Sequence, residues 1–298
     1  MFPTSRKEGI EKAIGNCRSM EKLKKFTFNN HPEKSAILKI AKGKSKGTQH
    51  FKTQVKRGEI STTKAYKYLG EWYSQDGTKE ENLKKRNSKV KFLLREILKY
   101  GDQSKVGEMA IEVRQKIYET VVVPTLFANI ETWSEINEKD SKELEKMQYQ
   151  ILRGMFELPQ CTPYWGIIAE SGIWPVKYRI EYKKVMLFQN IIQSDEKRLI
   201  KEIVEDQIRD PYGKCWVKGI IEICSKYNIS IQEVRNMSKM ALKKEIKIRI
   251  NDCVEKEIEE KKKVMKKLRF IEGFNKNQYL KALGTKDAIT ILKTRLLY

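Results

Sequence analysis

"AYKYLGEWYSQDGT", residues 65–78, marks the point at which the chain changes character. Aromatic and aliphatic residues flank Gly70, and Asp76-Gly77 closes the stretch with turn chemistry, so a tight ribbon of two short strands is expected here. Upstream, "SAILKIA" (35–41) and "FKTQVKR" (51–57) have strand composition and are separated by the Gly- and Lys-rich turn "KGKSKG". Ile10, Ala13, Ile14, Cys17 and Met20 fall on one side of an amphipathic helix expected over residues 8–25, which would cover one face of such a sheet.

Downstream of Thr78 the apolar period becomes 3.6. Val106, Met109, Ala110, Val113, Ile117 and Val121 form one expected core stripe, and Leu144, Met147, Ile151, Leu152 and Met155 form another. Pro124 interrupts or kinks the first of these helices. "LPQCTP" (158–163) brackets a polar link with two prolines and is the best candidate boundary inside the helical region. Helices are expected again at about 175–193, 213–227, 238–262 and 285–297, with Leu242, Ile246, Ile250 and Cys253 repeating the helical spacing. The expected fold is α+β, mostly α. Residues 1–77 form a small sheet with one helix, residues 78–160 a first helical part and residues 161–298 an all-helical C-terminal domain.

Charge narrows the function. The 298 residues carry 61 Lys+Arg against 39 Asp+Glu, a net charge of +22, beside 40% hydrophobic residues, enough for a packed core. Residues 1–100 hold 25 basic against 10 acidic side chains, so the polyanion-facing end is the first third. No uninterrupted apolar span suggests a membrane segment, and "MFPTSRKEGIEKAI" lacks the apolar core of a secretory signal. An intracellular location, nuclear and/or cytoplasmic, and no membrane partner are therefore expected. Cys17, Cys161, Cys215, Cys224 and Cys253 are scattered without a C-x-x-C pair, and only His31 and His50 could help ligate zinc, so reduced thiols and no metal site are expected.

No Walker loop, G-x-G-x-x-G, H-E-x-x-H or G-x-S-x-G occurs. The carboxylates of "EDQIRD" (205–210) and the charges of "EKEIEEKKKVMKKLR" (255–269) have the spacing of solvated helix faces. What does recur in the first third is lysine interleaved with aromatics: Lys64, Tyr66, Lys67 and Tyr68, then Trp72 and Tyr73. Tyr66 and Tyr68, two apart on a strand, share a face, and Gly70 permits close approach of another backbone, a pattern that can lie along a sugar-phosphate chain. The same aromatics could instead be ordinary sheet residues covering neighbouring helices.

Taken in order, "FTFNNHPEKSAILKI", "AYKYLGEWYSQDGT", "KKRNSKVKFLLREIL", "RQKIYETVVVPTLFANIETW" and "LEKMQYQILRGMFELPQCTPYWGIIAESGIWPVKYRIEYKKV" resemble the C-terminal part of a non-LTR (LINE-type) retrotransposon reverse transcriptase. The resemblance implies a distal palm, a primer grip, a thumb and a downstream helical region, with RNA or DNA as partner, most specifically a primer-template hybrid. Residue by residue, it places Lys34 where a lysine protonates the pyrophosphate leaving group. Tyr68, Leu69 and Gly70 fall in the primer-grip ribbon, joined by Tyr66 of the same face, and Arg86, Lys89 and Lys91 fall on the first thumb helix near the template-primer backbone.

The aspartates that hold Mg²⁺ in the complete family enzyme have no counterpart, "NNHPEK" carries an extra His, and "LFANIETW" has Ala-Asn where Tyr-Gly is expected. The resemblance therefore implies a truncated, non-catalytic chain with no cofactor of its own. The missing palm portion would be supplied, if at all, by a longer polypeptide. A non-catalytic helical interaction protein that keeps the retroelement architecture, or an inert retroelement remnant, is the alternative.

Overall fold

The computed structural model describes residues 36–38, 52–55, 58–68, 70–103, 111–211, 215–274 and 279–297. They divide into two compact units, Met1–Asn82 and Leu83–Tyr298. The expected helix at 8–25 lies outside the described residues.

In the first unit, β1 (Ile37–Leu38) pairs in parallel with β3 (Gly58–Thr63), which pairs antiparallel with β2 (Lys52–Val55), giving the order β1-β3-β2. Strands β1 and β2 lie within the two expected segments. Strand β3, "GEISTT", was not expected, because its only large apolar residue is Ile60, which is buried. The ribbon is a separate two-stranded sheet, β4 (Ala65–Tyr68) with β5 (Glu71–Ser74), rather than part of one continuous sheet. The chain bends at Lys64, whose carbonyl accepts from Gln75 N–H (2.8 Å).

In the second unit the helices follow the 3.6 period. After α1 (Glu80–Gln103), which starts in the first unit, come α2 (Ile111–Ile117), a π-helical turn (Tyr118–Val122), α3 (Val123–Leu126), α4 (Glu138–Met155), α5 (Tyr164–Ser171) and α6 (Val176–Ile192). Then follow α7 (Leu199–Arg209), α8 (Trp216–Lys226), α9 (Ile231–Asn236), α10 (Lys239–Val264), α11 (Tyr279–Ala282) and α12 (Thr285–Leu297). Side-chain caps set several starts: Asn137 accepts from Asp140 N–H, Ser238 from Ala241 N–H, and Ser230 with Glu233 forms a capping box.

Helix α10 buries Leu242, Ile246, Ile250, Val254 and Ile258 completely and packs on α5 and α6. Each such side chain contributes about 1.5–3 kcal/mol by leaving water. Val254 continues the fully buried stripe at steps of four, and the expected Cys253 is half-buried and packs against the same core. Leu144, Met147, Ile151, Leu152 and Met155 of α4 are buried as their spacing requires.

Of the expected stripe, Val106, Met109 and Ala110 lie outside the described residues, and the part from Val113, Ile117 and Val121 needs correction. Val113 and Val121 are exposed, and Ile111, Arg114, Tyr118 and Val122 face the core. The polar Arg114 belongs inside because its guanidinium donates to Met155 O (2.6 Å) and pairs with Glu157 (2.7 Å). The turn then widens: Val123 N–H donates to Tyr118 O, five residues back, immediately before Pro124, which has no N–H to offer.

"LPQCTP" does break the helices between α4 and α5, but residues on both sides of 160 belong to one compact unit. Gln148 explains why. Wholly buried, its Nε2 donates to Tyr118 Oη (2.8 Å) and Trp174 O (2.9 Å), while its Oε1 accepts from Tyr164 Oη (2.6 Å), joining segments before and after that link. Close approach at Gly166 ties in the last helix, since a Cβ there would stand 2.5 Å from Leu296 Cδ2. Beside it the buried Glu170 accepts from Arg295 (3.0 Å) and Tyr279 Oη (2.6 Å).

Two measurements check this core. Gln148→Leu strands a buried carbonyl and two buried hydroxyls, and should cost about 3 kcal/mol or more in urea unfolding of the full chain. Burial pushes the Tyr118 phenol up to about 12, above its ordinary 10. The folded phenol thus holds its proton to higher pH than the unfolded one, and the stability from its neutral form is intact below pH 10 and disappears as pH climbs through about 12. That loss should approach roughly 2–3 kcal/mol and should shrink in Tyr118→Phe, followed by circular dichroism against pH.

Candidate nucleic-acid interface

The ribbon of the first unit is a regular hairpin. Tyr66 faces Tyr73, Lys67 faces Trp72, and Tyr68 faces Glu71 across it. Gly70 turns the chain with φ +88°, a conformation that glycine adopts without cost. Its base is closed by Asp76, whose Oδ1 accepts from Ser74 Oγ (2.5 Å), Thr78 N–H (3.0 Å) and Thr78 Oγ1 (2.9 Å), with Gly77 at φ +71°. The Ser74 hydroxyl above all, then the Thr78 amide, hold the Asp76 carboxyl below its usual range. Glu71 is buried and accepts from Asn82 Nδ2 at the start of α1.

Of the ribbon residues singled out in the sequence, Tyr68 is exposed (47%) and Tyr66 is half-buried opposite Tyr73. The outward aromatic surface is therefore Tyr68 and Tyr73, with Lys67 exposed on the other face. Lys34 and Leu69 lie outside the described residues.

Helix α1 carries the larger basic surface. Within the second unit, Leu83, Arg86 and Val90 face inward. Lys84, Lys85, Lys89, Lys91, Phe92, Arg95 and Lys99 face outward. The side chains of Lys84, Lys89, Lys91 and Arg95 have no hydrogen-bonding or ion-pair partner among the described residues. At 100° per residue these side chains fall within less than half a turn, so the positive charge is one stripe along the helix. Phe92 sits inside that stripe and is 61% exposed.

Beside it, Ser88, Lys89, Phe92 and Leu93 form one wall of an open groove of about 580 Å³, and Pro124, Thr125 and Ala128 form the other. An aromatic face, a free ammonium and a hydroxyl on one groove wall provide a stacking platform next to a phosphate contact.

The expectation for Arg86 is corrected. Its side chain is buried, with the guanidinium donating to Leu126 O (2.7 Å) and Ala128 O (2.5 Å) and lying over the Trp133 ring, 5.1 Å from its centre. Its charge is thus spent on holding "LFANIETW" against α1, where Phe127 and Ile130 are fully buried. Spacing on the helix gives the reason: Arg86 shares the inward phase of Leu83 and Val90, whereas Lys89 and Lys91 lie on the outward arc. Phe92, Lys84 and Arg95 were missed by the sequence reading. The available signal was a phenylalanine at an outward phase among lysines.

No group of three or more His, Cys, Asp or Glu side chains that could hold a metal ion comes together among the described residues. No helix of the described residues is long and apolar enough to cross a membrane. Cys161, Cys215, Cys224 and Cys253 are free thiols, Cys224 being buried. The chain matches no family model, no curated protein and no solved structure.

Substitutions separate the two classes of basic residue on α1. Arg86→Gln should destabilise the second unit by about 2–5 kcal/mol, because two buried carbonyls and the Trp133 face lose their cation. Lys89→Gln and Lys91→Gln should each stay within about 0.5 kcal/mol of the parent in the same urea titration.

Proposed function

We propose that the chain binds an RNA/DNA primer-template through its sugar-phosphate backbone, as a reverse-transcriptase-like protein of the non-LTR type without polymerase activity from its described residues. The observation that carries this reading is the outward stripe of α1, with unpaired Lys84, Lys89, Lys91 and Arg95 surrounding the exposed Phe92. Glu96 lies on the same face but is paired with Lys99, and a solvated helix face needs no aromatic at its centre. Unpaired cations flanking an aromatic platform suit a phosphate chain with an unstacked base beside it. The exposed Tyr68 of the ribbon supports the same partner, with the role that the resemblance gives it at a primer end. Backbone contacts of this kind position nucleic acid without reading its sequence, so weak sequence preference is part of the reading.

The test is binding of the full chain to a recessed RNA-DNA hybrid, a blunt duplex and a single strand between about 50 and 200 mM salt. The expected result is preference for the recessed hybrid and a steep salt dependence. Combined Lys84→Gln, Lys89→Gln, Lys91→Gln and Arg95→Gln should reduce the log-log slope by about 3. Phe92→Ala should weaken binding of the overhang by about 1–3 kcal/mol, and Tyr68→Ala should reduce the preference for the recessed end. Equal, weak binding of all three ligands would overturn the reading in favour of a basic surface on a helical interaction protein.

A further inference from the structure

Helix α10 has a second basic surface unrelated to any site residue named above. Its first eleven residues, "KMALKKEIKIR", hold one acidic side chain, Glu245, which pairs with Arg249 (2.7 Å). Lys239, Lys243, Lys244 and Lys247 are all exposed, and none has a hydrogen-bonding or ion-pair partner among the described residues. Lys239, Lys243 and Lys247 follow one another at steps of four, so they form a row along the helix, about 6 Å per step and about 12 Å end to end. Lys244 borders the row.

This placement works against the helix itself. The first turn of α10 has no acidic residue, although the positive end of a helix dipole favours carboxylates and disfavours lysines. Of the row, Lys239 lies in that first turn, where an anion beside it would offset the dipole's cost.

Two anionic surfaces could fit four lysines, and the packing distinguishes them. A bilayer-binding helix buries its apolar face in the headgroup boundary. Here that face, Leu242, Ile246 and Ile250, is fully buried in the protein core, and only Met240 and Ile248 are large apolar residues exposed beside the lysines. A linear row of ammonium groups spaced like successive phosphates on an A-form strand suits a nucleic-acid backbone. We infer that Lys239, Lys243, Lys244 and Lys247 form a second phosphate-binding surface, occupied by the duplex part of an RNA-DNA hybrid. The inference rests on nucleic acid being the partner of the chain, but assigns to α10 a contact distinct from that of α1.

The experiment titrates the full chain with a blunt RNA-DNA hybrid at several salt concentrations, comparing the parent with Lys239→Gln/Lys243→Gln/Lys247→Gln. A control replaces three exposed lysines further along, Lys256→Gln/Lys263→Gln/Lys267→Gln. The first triple variant should keep the parent's thermal midpoint and lose about 2–3 from the log-log salt slope, and the control should retain the parental slope. Lys→Arg at the same three positions should restore it.

Equal loss in both triple variants, or no loss in the first, would overturn the inference while leaving hybrid binding itself intact. Absence of any hybrid binding by the parent would overturn this inference together with the proposed function. Unchanged hybrid binding with lost attachment to phosphatidylserine vesicles would overturn it in favour of a membrane surface.

Discussion

The second unit depends on the placement of one uncharged amide. Gln148 is fully enclosed and has partners from the π-helical turn, from α5 and from the Trp174 carbonyl. Apolar contacts alone would let α4 slide or rotate against its neighbours at small cost, because dispersion and burial are not directional. An enclosed amide fixes register, since each lost hydrogen bond leaves a polar atom with neither protein nor water. The aromatic groups around it are fixed too, with Tyr164 edge-on to Tyr149 and Trp165. Glu170 repeats the principle near the C-terminus, where burial raises its carboxyl pKa while Arg295 and Tyr279 oppose that rise.

The same logic divides the basic residues of this chain into two populations. Arg86, Arg114 and Arg295 direct planar guanidinium groups at backbone carbonyls, in Arg114 and Arg295 also at carboxylates, so each crosslinks segments far apart in sequence. The side chains of Lys84, Lys89 and Lys91 on α1 and of Lys239, Lys243, Lys244 and Lys247 on α10 have no such contacts among the described residues and leave their charge to the solvent. Arginine suits the first task because its fork satisfies several acceptors with one side chain; a lysine ammonium keeps its hydration until a mobile anion replaces the water. A net charge of +22 therefore overstates the structural electrostatics and understates the local density on two helix faces.

How much of this was legible in the sequence depended on whether polarity and phase agreed. Where they did, as for Leu144, Met147, Ile151, Leu152 and Met155 of α4, or Leu242, Ile246 and Ile250 of α10, spacing identified the core. The ribbon too was legible, because Gly70 and Asp76-Gly77 impose their geometry locally. Phase failed between 111 and 122, where a buried arginine replaced an apolar residue and a π-turn shifted the register, both consequences of partners outside the segment. At the candidate interface, Lys89 and Lys91 were legible as charge and Arg86 was not separable from them until its carbonyl partners were known. Phe92 was hidden because an aromatic residue in a helix is ordinarily counted as core.

The tight seat of Gly166 against Leu296 has a consequence for how the protein is made. Helix α5 carries Ile167, Ile168 and Ala169, all buried in the finished unit, and its Glu170 is partnered by Arg295, 125 residues later. During synthesis at about 5–20 residues per second, α5 is exposed for several seconds or more before the chain that covers it has been translated. Its carboxylate waits equally long for its cation. The first helices to emerge can pair locally, but the seat of Leu296 against Gly166 is a long-range closure that waits until α12 has been translated.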